Sequence, residues 1–103
     1  MSERIKVAQI EQVAPGKGKR VRAKGHDIAL FNVEGLFYAI GNSCSHSTGP
    51  LAEGRLYGHI VTCPWHGSRF DVTTGQVCEG PAAQAVTKYP VYIEGQSIFI
   101  EIN

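Results

Sequence analysis

The sequence of 103 residues has no long apolar run, and nothing in it approaches the ~18 consecutive apolar residues of a membrane-spanning helix. Its start, Met1-Ser2-Glu3-Arg4-Ile5-Lys6, carries no apolar segment of the secretory type. The expected location is the cytoplasm, with no membrane partner. Charge of one sign is also lacking. Ten Lys and Arg stand against nine Asp and Glu, a formal net charge of +1, whereas a dedicated nucleic-acid binder is strongly basic. Cysteine is scarce and odd in number, at Cys44, Cys63 and Cys78. Three such thiols do not read as a disulfide framework and suit a reducing compartment, free or metal-bound. The twelve glycines have no fixed period, which excludes a collagen-like repeat.

What remains is a globular chain. Hydrophobic residues make up 43%, too many for a disordered segment. The length predicts one domain, residues 1–103, with a modest core. No helical periodicity exceeds two turns; the best candidate, Val7 to Ala14, is stopped by Pro15. Strand-like runs recur with turn signals between them. They cover Arg4–Ala8, Lys19–Ala23, Ile28–Val33, Leu36–Ile40, Lys88–Ile93 and Ser97–Ile102. The centre, Gly41 to Gly80, is dense in Gly, Pro, Ser, Thr, Cys and His. Short strands fit there at Arg55–Tyr57, His59–Thr62 and Ser68–Val72, with a Thr73-Thr74-Gly75 turn into Gln76–Val77. The predicted class is all-β: antiparallel sheets as a base, with a glycine-rich insert.

Two segments carry the chemistry, Cys44-Ser45-His46 and Cys63-Pro64-Trp65-His66, with sixteen residues between His46 and Cys63. Each offers one soft thiolate and one borderline imidazole, so together they form a candidate metal site. Zinc accepts Cys2His2 sets, but its usual spacing places two Cys before two His. Here the ligands alternate. Alternation suits a two-iron cluster in which one iron takes two Cys and the other two His, because each loop then serves both irons.

Cys-x-His followed by Cys-x2-His at this distance resembles the signature of the Rieske [2Fe–2S] proteins. The stretch from Cys63 through Arg69-Phe70-Asp71-Val72 to Gly75 is similar to their second cluster loop and the hairpin after it. Gly80-Pro81-Ala82 is similar to the proline loop over the cluster. The flanking hairpins resemble the base, so nearly the whole chain is covered. The resemblance implies one [2Fe–2S] cluster on Cys44, His46, Cys63 and His66, a cluster-binding subdomain of about residues 42–77, and support from Ser68, Trp65 and Pro81. Respiratory and photosynthetic members carry two further cysteines as a disulfide; Gly49 and Trp65 stand at those positions here and cannot form it. The similarity is therefore to the ferredoxins of aromatic-ring-hydroxylating dioxygenase systems. It implies a one-electron carrier, not an enzyme. The expected partners are a flavin-dependent NAD(P)H reductase and a terminal Rieske oxygenase, and the expected state is a monomer. Phe70 lacks the hydroxyl of high-potential relatives, so a low potential is expected. Gly49-Pro50-Leu51, Pro64-Trp65 and Gly80-Pro81 are expected to form an apolar collar around the histidines. The alternatives are a small Rieske-like subunit of a reductase complex, such as nitrite reductase, and a zinc-stabilised interaction module.

Other residues invite plainer readings. Cys78 is expected as a small buried hydrophobe. His26 is expected at the surface, and His59 in a structural role. Lys17, Lys19, Arg20, Arg22 and Lys24 read as a solvated hairpin face, with a docking patch for an acidic partner as the alternative.

Overall fold

The computed structural model describes residues 2–45, 48–65, 67–82 and 84–103. Among the described residues eleven strands run in chain order: β1 (Glu3–Gln9), β2 (Gly18–Ala23), β3 (His26–Val33), β4 (Leu36–Gly41), β5 (Arg55–Tyr57), β6 (Ile60–Thr62), β7 (Arg69–Asp71), β8 (Val77–Glu79), β9 (Lys88–Tyr89), β10 (Val91–Glu94) and β11 (Ser97–Ile102). They form three antiparallel sheets, ordered β1-β11-β10, β2-β3-β4-β9 and β5-β6-β7-β8. Two single 3-10 turns, Ile10–Gln12 and Leu51–Glu53, are the helical elements among the described residues. The helical turn expected within Val7–Ala14 is thus one turn, because β1 runs on to Gln9.

The middle sheet faces two cores, and its sequence shows why. Strand β3 reads Ile28-Ala29-Leu30-Phe31 without a polar break, as a strand buried on both faces must. Ile28 and Leu30 pack with Ile98, Ile100 and Ile102 of β11. Ala29 and Phe31 pack on the other side with Leu51, Val61, Phe70 and Val72. Fully burying each Ile, Leu or Phe contributes roughly 1.5–3 kcal/mol. Strand β11, covered on one face, alternates: Ile98, Ile100 and Ile102 are buried, and Ser97, Phe99 and Glu101 less so.

Turn chemistry sets the registers. Lys24-Gly25 and Glu34-Gly35 are two-residue loops with both residues left-handed, matching the twist of the hairpins they close. The single run predicted at Lys88–Ile93 is two strands instead. Pro90 has no N–H to give to a ladder, and the chain changes sheets there: β9 pairs with β4, and β10 with β11. The basic stretch lies along β2, an edge strand, where Lys and Arg discourage further strand pairing. Arg20 forms a two-pronged ion pair with Asp27, and Lys24 pairs with Glu3.

Candidate functional site

The two candidate cysteines open two loops of the same construction. Cys44 starts residues 44–49, and Cys63 starts residues 63–68. The flanking residues pair antiparallel in both cases, Ser43 with Pro50 and Thr62 with Arg69. The cysteine N–H donates across the loop, Cys44 to the Gly49 carbonyl at 2.9 Å and Cys63 to the Ser68 carbonyl at 2.8 Å. The cysteine carbonyl accepts from four residues on, Thr48 N–H at 2.8 Å and Gly67 N–H at 3.1 Å. That fifth residue is left-handed in each loop, with φ 59° at Thr48 and 78° at Gly67. A β-branched residue at positive φ is strained, so Thr48 is held there by the loop around it.

Both cysteines are buried, Cys44 at 1% and Cys63 at 2% exposure, in the core shared by the middle sheet and the β5–β8 sheet. The loops meet at Gly49. A Cβ there would lie 2.7 Å from Cys63 Sγ and 3.1 Å from Trp65 Cγ, so only glycine leaves room. Two buried soft donors at matching corners, with space kept beside one sulfur, fit the donor set of a soft-metal cluster. His46 and His66, the other two candidates, lie outside the described residues. Among the described residues no three His, Cys, Asp or Glu gather as a second metal site.

The remaining predicted site residues surround these loops. Ser68 is fully buried, and its Oγ accepts the Ala82 N–H at 3.0 Å. Gly80, with φ 99°, lies so close that a Cβ would be 2.6 Å from Ser68 Cα. Pro81 sits exposed between these two contacts. Ser45 Oγ donates to the Gln84 carbonyl at 2.6 Å, so the segment after β8 is bonded to both loops. Trp65 covers Gly49 yet is 57% exposed, packing on the loop and facing solvent at once.

Two expectations are corrected. Leu51 is not part of an apolar collar: it is fully buried in the core, as the first residue of a 3-10 turn under β3. Gly49 is buried too, which leaves Pro64, Trp65, Gly80 and Pro81 exposed. Cys78 is exposed, not buried, because Val77 takes the inward position on β8 and its neighbour points out. His59, expected in a structural role, is exposed at its side chain and tied to the neighbouring strand: its Nδ1 lies 3.2 Å from Asp71 Oδ1, and its carbonyl accepts the Val72 N–H at 2.9 Å. His26 is at the surface, as expected, with Nδ1 3.1 Å from the Tyr89 hydroxyl.

One residue of consequence escaped the sequence reading. Asn42, almost fully buried, closes the base of the first loop. Its Oδ1 accepts Ala52 N–H at 2.8 Å, its carbonyl accepts Leu51 N–H at 2.7 Å, and its N–H donates to the Asp27 carbonyl at 3.0 Å. Asp27 is held below the usual carboxylate range, chiefly by the Arg20 hydrogen bonds, against burial, with help from Asn42 and the Arg20 charge. Burial pushes the Asp71 carboxyl up, but the Thr73 hydroxyl and N–H and His59 together bring it below its ordinary value.

A family model described as the Rieske [2Fe-2S] domain matches residues 3–90. The ferredoxin component of the naphthalene 1,2-dioxygenase system of Pseudomonas aeruginosa is 36% identical over 99 residues, 96% of this chain and 95% of that protein. The 3-phenylpropionate/cinnamic acid dioxygenase ferredoxin subunit of Shigella boydii is 40% identical over 100 residues, covering 96% and 93%. A chain from the complex of reduced oxygenase and oxidized ferredoxin in carbazole 1,9a-dioxygenase superposes with a TM-score of 0.89 at 30% identity. The match covers 94% of this chain and 91% of that one.

Proposed function

Because the chain belongs to the Rieske [2Fe-2S] domain family, we propose that Cys44, His46, Cys63 and His66 together hold its one cluster. The observation that carries this reading is the pair of matching loops, with both cysteines buried in one core and Gly49 against the Cys63 sulfur. The cluster supplies uptake and return of a single electron when bound. Residues about 42–77 act as the cluster-binding part of a single domain, and the rest of the chain is its base.

The protein is an electron carrier and not itself an enzyme. Its relatives are ferredoxin components of dioxygenase systems, and one solved relative is complexed with its oxygenase. By the same reading this chain receives electrons from a flavin-dependent NAD(P)H reductase. It delivers them to a terminal oxygenase acting on an aromatic compound, as a cytoplasmic monomer. No helix of the described residues is long and apolar enough to cross a membrane.

The surrounding residues have separate tasks. Cys44 and Cys63 would hold the cluster through thiolates on the buried side. Leu51, Val61 and Phe70 exclude water behind them. Ser68 Oγ accepts from Ala82, so its own O–H proton would be available to a bound cluster. Donation to sulfur favours the reduced state and raises the potential. Phe70 is buried and has no hydroxyl to add a second such bond. The potential therefore belongs in the lower half of the Rieske range of roughly −150 to +300 mV. Pro64, Trp65 and Pro81 give the rim an apolar edge that a partner can meet and leave.

Iron and sulfide analysis with a dithionite titration tests this function. The expected result is about two irons and two sulfides per chain and uptake of one electron. Zinc in place of iron, with no electron uptake from cells supplied with iron, overturns it.

A further inference from the structure

The outer face of the β5–β6–β7 sheet is left over from the site just described. Leu56, Val61 and Phe70 turn inward to the core. Their neighbours turn outward, and the register lines up Arg55 with Thr62 and Thr62 with Arg69. One step along, Tyr57 stands beside Ile60. These five side chains line an open groove of about 420 Å³. A second hollow, bordered by Arg55, Thr62, Cys63, Pro64 and Arg69, carries the groove on to the second cysteine loop.

The charge on this face is poorly compensated. Arg55 makes no ion pair among the described residues. Arg69 has only a 3.9 Å contact with Glu79, both side chains being more than half exposed, and such a pair contributes little. Asp71 is already engaged by Thr73 and His59. Glu53 borders the second hollow and another beside Arg55, but not the groove itself. On the β2 edge Arg20 and Lys24 are matched by Asp27 and Glu3, and Lys19 and Arg22, without an ion pair among the described residues, lie on a strand that borders neither hollow. Tyr57 is 84% exposed between the arginines and open water. Arginine and tyrosine are the residues enriched in protein interfaces, and guanidinium forks match carboxylates.

We propose that the Arg55–Tyr57–Arg69 face docks a carboxylate-bearing segment of the electron-transfer partner and guides it to the Cys63–Pro64 edge. This rests on the carrier reading above. Charge complementarity and continuity with the second loop choose the occupant: an acidic protein segment, with its carboxylates on the two guanidiniums and its backbone over Tyr57.

The test uses cluster-loaded full-length protein and octaglutamate peptide as the probe, with binding followed calorimetrically at low and moderate salt. The wild type is expected to bind saturably, and more weakly as salt rises. The double variant R55E/R69E is expected to lose at least fivefold in affinity, and Tyr57→Ser about twofold or more. The control K19E/R22E, on strand β2, is expected to stay within about twofold. Absence of saturable binding, or a loss in K19E/R22E equal to or larger than that in R55E/R69E, overturns the proposal. If R55E/R69E fails to hold its cluster, R55Q/R69Q takes its place under the same criteria. A wild type that takes up one electron yet ignores the peptide refutes this docking surface alone. A wild type that takes up no electron refutes the carrier reading whatever the peptide does.

Discussion

Gly49 and Trp65 face each other across the two cysteine loops: the indole covers a glycine whose missing side chain would stand 3.1 Å from its Cγ and 2.7 Å from Cys63 Sγ. By the resemblance drawn from the sequence, these are the positions where respiratory Rieske proteins carry two further cysteines. In place of a covalent tie, the loops are held by ring-on-backbone packing and by hydrogen bonds to the segment after β8.

Gly49→Ala places a carbon where the Cys63 sulfur and the Trp65 ring already are. Overpacking of this kind costs about 1–3 kcal/mol, and here it also displaces a candidate ligand. The variant is expected to purify with clearly less iron per chain than the wild type, as metal analysis and visible absorbance will show.

Ser68→Ala leaves the buried Ala82 N–H without its acceptor. The expected destabilisation is about 1–3 kcal/mol, the cost of an unsatisfied buried donor, read by denaturant unfolding. On the proposed role of its hydroxyl proton, the same change also lowers the potential measured by voltammetry. For the wild type, a potential above about +150 mV contradicts the assignment to the lower half of the family range.

Asn42→Ala removes the acceptor of Ala52 N–H and loosens the base of the first loop while leaving the second untouched. A loss of about 1–3 kcal/mol is expected. Cluster loss to an iron chelator, followed by bleaching, is expected to be faster than in the wild type.

Acid sensitivity has an identifiable source in Asp27. Its carboxyl is held down mainly by the Arg20 hydrogen bonds, against burial. The unfolded chain therefore takes up its proton first, near the ordinary Asp value of about 3.9. The stability this contributes is complete above that value and is lost as pH falls through the lower folded value. Asp27→Asn is expected to flatten the fall in stability between about pH 5 and pH 2 relative to wild type, measured by unfolding at a series of pH values.

The sequence was most informative where local pattern and burial agree. The runs Ile28–Val33 and Ser97–Ile102 both stand as strands, with β3 starting two residues earlier, at His26. It was least informative where tertiary packing decides. Pro90 divides one apparent strand between two sheets, because the missing N–H matters only once the neighbours are known. Leu51 and Cys78 exchange their expected environments for the same reason: a 3-10 turn buries the one, and strand alternation exposes the other. The likeness of the two cysteine loops was hidden by unequal Cys–His spacing and by Thr48, a residue type that gives no sign of a left-handed backbone. Asn42 looked like any loop asparagine, since its role depends on partners at Asp27, Leu51 and Ala52. The proposed ligand set of Cys44, His46, Cys63 and His66 rests on sequence spacing, because metal chemistry restricts ligand types whatever the fold.

The central claim is that two cysteines and two histidines share one [2Fe–2S] cluster, and EPR of the anaerobically purified, dithionite-reduced protein tests it most directly. The account predicts a rhombic signal whose average g lies below that of all-cysteine [2Fe–2S] ferredoxins, with optical bleaching on reduction. A colourless, EPR-silent protein from iron-replete cells, or a signal of the all-cysteine type, would contradict it.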